Sequence, residues 1–291
     1  MEDEWDVNTS GSQDTRAVST KAEAKAIVQA FRASSSAGAW RSLDRRQVAD
    51  RLDLLIDEPR LLNQGQLNLC GPASFLSVWA RRDPKAFTEY ATTLFNTGAA
   101  SINRRFPVYP SASLLDQDYA AMRSRMSAIV TEQADWMVMG ALRNNDDAIF
   151  VWNGDPEQET AGMTFPEEVE RWLSATGLYS SLDNQIGNSL AALSSKGYNA
   201  AEDLMLDEGV DIVCLVQANM VPELKVAATR GFLSFFPNHW VVLNGPVMQL
   251  VTNKRVSFPI WSFGRDWDDL EVSDVETFAY NYYGAIVGQM R

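Results

Sequence analysis

The apolar residues of this chain change their spacing once, after Gly209. Before it they recur at helical intervals, as in Ala24, Ile27, Val28 and Phe31, or Val48, Leu52, Leu54, Leu55 and Ile56. After it they form short runs bounded by turn residues, Val210 to Ala218 and His239 to Leu243. Intervals of three and four mark one face of a helix, whereas a short continuous apolar run between turns reads as a strand buried on both faces. Helices first and strands last predicts an α+β fold rather than the strand–helix alternation of a parallel sheet.

Local signals divide the chain further. Residues 1–20 are polar, rich in Asp, Ser, Thr and Gly, and read as a disordered leader. Residues 21–291 are expected to form one catalytic domain, with a helical lobe over 21–208 and a mainly β lobe over 209–291. A helix is predicted from near Ser42-x-x-Arg45 to just before Pro59. The next begins at Gly71-Pro72 and stops at Asp83-Pro84, since proline fits a first turn but not a helix interior. Further helices are expected over residues 86–94, 114–130, 135–142 and 166–175, with weaker signals over 184–193 and 199–206. In the last part, Val247 to Val251 and Val256 to Ile260 flank a predicted hairpin turn at Thr252 to Arg255. A helix from Val275 to Tyr283 and a short strand near Ala285 to Val287 end the chain.

Charge and composition narrow the chemistry. The 291 residues, 46% hydrophobic, carry 25 basic and 38 acidic side chains, a net charge of −13. Nucleic-acid phosphates and anionic lipids repel such a chain. No apolar stretch approaches the length of a membrane span. The start, Met1-Glu2-Asp3-Glu4-Trp5, lacks the basic-then-apolar layout of a secretory signal, so synthesis and folding are expected in a cytosol. Export would need a route without a cleaved apolar signal. Two cysteines, Cys70 and Cys214, form no disulfide framework, and a single histidine without a C-x-x-C pair argues against zinc. No nucleotide-binding or serine-hydrolase motif occurs. No metal or organic cofactor is expected.

The segment Asn63-Gln64-Gly65-Gln66-Leu67-Asn68-Leu69-Cys70-Gly71-Pro72-Ala73-Ser74 carries the most chemistry. A thiol attacks as thiolate, and a helix N-terminus favours that charge through its free backbone N–H groups. The same groups can hold an oxyanion, and a glutamine six residues earlier can add a side-chain donor. Gln66 competes with Gln64 at a poorer spacing. Cys214, within Ile212-Val213-Cys214-Leu215-Val216, reads as a small core residue. The only histidine, His239, heads an apolar strand, where an imidazole can accept the thiol proton and later return it to a leaving group.

This combination resembles the papain-like cysteine peptidases, in which a glutamine precedes the nucleophile by the same interval and the nucleophile opens the central helix. Cys-Gly-Pro-Ala is more similar to the bacterial branches than to papain, whose cysteine is followed by tryptophan. The resemblance implies a papain-like fold, Cys70 as nucleophile, His239 as general base, Gln64 as oxyanion donor and a protein or peptide substrate. Deamidation of glutamine or asparagine and transglutamination use the same pair, and a binding module that has lost catalysis is a further alternative. The overall look is similar to bacterial secreted effectors and toxins, which implies a secretion-system or immunity partner. The residue that orients the imidazole departs from the family. Trp261-Ser262-Phe263-Gly264 places tryptophan where asparagine is expected. Folding about the Thr252 to Arg255 turn makes Asp266 the first choice, then Asn244, with Ser262 or a backbone carbonyl also open; Asp266 heads an acidic run that equally suits a solvated face. Trp240 and Trp261 are expected either to wall the cleft or to pack the core.

Overall fold

A computed structural model describes residues 10–65, 67–125, 131–146, 164–187, 194–221 and 239–291. The fold is α+β. Helices α1 (Ser10–Ala33), α2 (Arg45–Asp57), α3 (Cys70–Arg82) and α4 (Pro84–Thr97) form the first layer. Their ends follow the sequence. The Asp44 carboxylate accepts the Gln47 N–H at 2.9 Å and so begins α2. Asp83 ends α3 by donating its N–H to Trp79 O, and its side chain caps α4 by accepting from Ala86, next to Pro84. Gly98, at φ 74°, closes α4 in the left-handed conformation.

Every residue of α3 from Cys70 to Ala80 is buried. A helix enclosed on all sides lies at the centre of its domain. Phe75 stacks with Trp79 at 5.7 Å and tilts against Trp172 of α8 (Pro166–Thr176) at the same distance. Replacing such a buried aromatic ring by alanine costs about 3–5 kcal/mol.

One face of α3 meets a six-stranded antiparallel sheet. Its order is β3 (Tyr179–Asn184), β11 (Tyr282–Met290), β4 (Val210–Val216), β5 (His239–Leu243), β8 (Ile260–Ser262) and β9 (Arg265–Trp267). All seven residues of β4 and all five of β5 are buried, because the sheet is covered on both faces. Val213, Leu215, Trp240 and Val242 point into the helical core. Cys214, Val216, Val241 and Leu243 point into a second core, completed by α9 (Tyr198–Glu202), α10 (Val275–Asn281) and a small sheet of β6 (Met248–Gln249), β7 (Arg255–Ser257) and β10 (Glu271–Asp274). β6 and β7 pair as the expected hairpin about residues 251–254.

Several expectations change. Helix α1 begins at Ser10, within the stretch read as a leader; residues 1–9 lie outside the described part. The helix expected over 114–130 is two short ones, α5 (Ala112–Leu115) and α6 (Tyr119–Ser124), because Asp118 breaks the first and caps the second by accepting from Ala121. Asn184 ends strand β3 rather than starting a helix, and 188–193 lie outside the described residues. Two strands in a stretch given no assignment from sequence, β1 (Ala100–Ile102) and β2 (Phe106–Val108), form a hairpin whose turn holds Asn103 and Arg104 at positive φ. No helix among the described residues is long and apolar enough to cross a membrane.

Candidate active site

The site begins with a helix start that no side chain caps. Leu69 occupies the N-cap of α3 and has no side-chain oxygen to offer, so the first N–H groups receive no side-chain cap. Cys70 is 7% exposed. Burial pushes its thiol up to about 11; the backbone N–H groups of Trp240, Gly71 and Cys70 itself, and the charge of Arg143, act in the opposite sense. Arg143, on α7 (Gln133–Asp146), is held by a buried two-pronged pair with Glu168 at 3.0 Å. The sulfur thus touches β5 at the peptide between His239 and Trp240.

His239 is 2% exposed, and burial pushes its imidazole down to about 3, so the ring is neutral at neutral pH. Its Nε2 is 2.8 Å from Ser262 Oγ. Phe263 stacks on the ring at 5.1 Å with an interplanar angle of 11°. Phe263 and Gly264 form the β8–β9 turn with φ of 54° and 73°. Two successive positive φ values match the twist of a tight hairpin, and a phenylalanine in that conformation is costly unless its ring is well packed. Strand alternation places His239 on the face of Val241 and Leu243, and Trp240 on the face of α3. The thiol and the imidazole therefore approach the Trp240 peptide from opposite sides of the sheet, at the end of β5 where pairing with β8 has not yet begun.

Register decides which residue holds the imidazole. Trp261 pairs with Asp266 and Ser262 with Arg265, so Asp266 shares the face of Trp261 while Ser262 turns to the face of His239. Asp266, the first choice from sequence, instead accepts from Asn244 Nδ2 at 2.8 Å and Arg60 Nη1 at 3.0 Å. Asn244, the second choice, is thereby joined to Asp266. Ser262, 1% exposed, makes the hydrogen bond to the histidine.

Gln64 is buried, and its side-chain Nε2 donates to Leu67 O at 2.9 Å. An amide nitrogen carries a second hydrogen. The backbone of this loop is tethered from α7 and the residues just before it: Asp135 accepts the Asn63 N–H at 2.9 Å, and Thr131 donates to Gln64 O at 2.6 Å. Asp135 also takes two bonds from Arg51, which donates in turn to Leu61 O. The β8–β9 turn packs on the same loop, since a Cβ at Gly264 would stand 3.0 Å from Asn63 Cβ. Gln66 lies outside the described residues.

Trp240 and Trp261 are core residues, each with its indole N–H donated to a carbonyl, Thr164 O at 3.0 Å and Arg60 O at 2.7 Å. A groove of about 520 Å³, lined among others by Arg60, Arg81, Asn244, Trp261 and Asp266, runs beside the C-terminal half of α3. Ser77 and Val78 also line it, so it begins about two turns, roughly 10 Å, beyond Cys70 along the helix. Sequence reasoning missed Thr164, Phe263, Arg143 and Glu168; only Glu168 belongs to a local pattern, accepting the Phe165 N–H at the start of α8. No protein-family model, curated protein or solved structure matches this chain.

Proposed function

We propose that this chain is a papain-like cysteine hydrolase that cleaves amide bonds of a protein or peptide through Cys70, with His239 as base. The observation that carries the reading is the placement of the Cys70 sulfur at an uncapped helix start, against the Trp240 N–H, one residue from a histidine whose Nε2 is engaged by Ser262. With Nε2 held, Nδ1 is the nitrogen left to take the thiol proton, and the transfer requires the ring to swing past the Trp240 peptide to the α3 side of the sheet. Burial favours the neutral pair over thiolate and imidazolium, so proton transfer accompanies attack. The sulfur bonds to the carbonyl carbon while the π pair moves to oxygen, where the Cys70 N–H and the second Gln64 amide hydrogen stabilise it. Collapse expels the amine, which receives the proton from His239. Water, deprotonated by the same imidazole, then hydrolyses the thioester.

The burial of both groups also suits a binding module without turnover. The two readings part on one experiment. Incubation with a protein-derived peptide library, followed by mass spectrometry, should yield products that Cys70→Ala and His239→Ala both abolish. Cleavage gives two fragments, deamidation a small mass gain and transglutamination a cross-link. Products that persist in Cys70→Ala would refute the hydrolase reading, and their absence from the native protein would favour the binding module.

A further inference from the structure

Thr164 is buried, at 5% exposure, and its hydroxyl oxygen has no hydrogen-bond partner among the described residues. An unmet buried hydroxyl costs about 1–3 kcal/mol, so a chain under selection for stability alone would place valine here. The position is specific. A Cβ added at Gly71 would stand 2.5 Å from Thr164 Oγ1, so only glycine lets this side chain lie on the first turn of α3. The segment is fixed from both ends of its own backbone. The Trp240 indole donates to Thr164 O, and the Phe165 N–H donates to Glu168 at 2.6 Å. Glu168 in turn holds Arg143, whose charge acts on the Cys70 sulfur. Thr164 therefore lies against Gly71, the residue after Cys70, and against the Trp240 indole, where backbone N–H groups of Trp240, Gly71 and Cys70 act on the sulfur and the Thr164 hydroxyl has no acceptor among the described residues.

We propose that the Thr164 hydroxyl is a catalytic donor, which hydrogen-bonds the oxyanion formed when the Cys70 sulfur adds to a substrate carbonyl. This rests on the hydrolase reading above. It supplies what Gln64 gives only in part, since one of the two Gln64 amide hydrogens is already donated to Leu67 O. In the attack step the S–C bond forms, the carbonyl π pair passes to oxygen and the thiol proton passes to His239. Thr164 keeps its own proton and shares it with the new oxygen. The unmet hydroxyl of the resting protein thus gains its partner in the adduct, which is a gain made only as the reaction proceeds.

Two probes of the same sulfur separate this role from packing. The peptide aldehyde acetyl-glycyl-glycinal adds to the thiol and leaves an oxygen at the oxyanion position; iodoacetamide is attacked at a saturated carbon and leaves none. Thr164→Val should weaken aldehyde binding about tenfold or more, as loss of one oxyanion donor does. The iodoacetamide rate on Cys70 should stay within about twofold and Tm should hold or rise, since an unmet buried hydroxyl has gone. Thr164→Ser should restore most of the aldehyde affinity. Equal aldehyde affinity in Thr164→Val, or an equal loss with both probes, would overturn the inference. So would iodoacetamide labelling of Cys70 in a native protein that takes no aldehyde, which would leave the nucleophile standing. Failure of Cys70 to react with either probe would remove the hydrolase reading as well.

Discussion

Cys70 and Cys214 are both buried, at 7% and 0% exposure, and burial pushes both thiols up, to about 11 and about 12. They differ in what surrounds the sulfur. Cys214 sits mid-strand on β4, its backbone paired with Ala285 on one side and Val241 on the other. Its polar neighbour in the second core is the Tyr282 hydroxyl, which makes no hydrogen bond of ordinary geometry among the described residues. Cys70 sits where a helix starts and a strand pairing ends, so N–H groups of α3 and β5 converge on it with Arg143 behind them. A sheet interior consumes its backbone donors in the ladder, whereas a helix start leaves them free. Burial alone therefore does not separate the two sulfurs; the backbone donors around Cys70 do.

That contrast predicts unequal consequences. Cys70→Ala should abolish turnover of any substrate found, by on the order of 10⁴-fold, with little change in Tm; an equal loss from Cys214→Ala would erase the distinction. Asp135→Ala should cost about 3–5 kcal/mol in urea unfolding, because it strands the Arg51 charge and frees the Gln64 loop beside Cys70. A cost below about 1 kcal/mol would show that this loop is held some other way.

His239 supplies a pH test. Its pKa falls from an ordinary 6.5 when unfolded to about 3 when folded. The stability it contributes is present above pH 6.5 and is lost as pH falls towards 3, because the unfolded chain takes up the proton first. His239→Asn should remove this dependence. The stability difference between native protein and variant should shrink by about 2–3 kcal/mol from pH 7 to pH 4.5. A constant difference would mean that the imidazole is hydrated in the folded protein. The smallest effect is expected of Cys214→Ala, about 1 kcal/mol of stability and no change in Cys70 reactivity.

The parts of this arrangement that depend on local chemistry were legible in the sequence. Asp44 and Asp83 announce their helices, Gly71-Pro72 marks a first turn, and the apolar runs at Val210 and His239 become the two central strands. The histidine's partner was not legible, because the choice between Asp266 and Ser262 rests on a register set by the Phe263-Gly264 turn. Gly264 announces a positive φ, but Phe263 does not, and one residue of slip would exchange the two faces. Strand β3 escaped notice because it is a sheet edge whose Ser180, Ser181 and Asp183 show no apolar alternation. Thr164 is a single threonine whose significance exists only against Gly71 and Trp240, which are distant in sequence.

The most direct test is to treat the folded protein with iodoacetamide across a range of pH and read both cysteines by mass spectrometry. Cys70 should be labelled without unfolding, at a rate that climbs with pH towards about 11 and drops in His239→Ala, while Cys214 should react only when urea exposes it. If Cys70 stays as unreactive as Cys214 until the chain unfolds, it is a core residue and not a nucleophile.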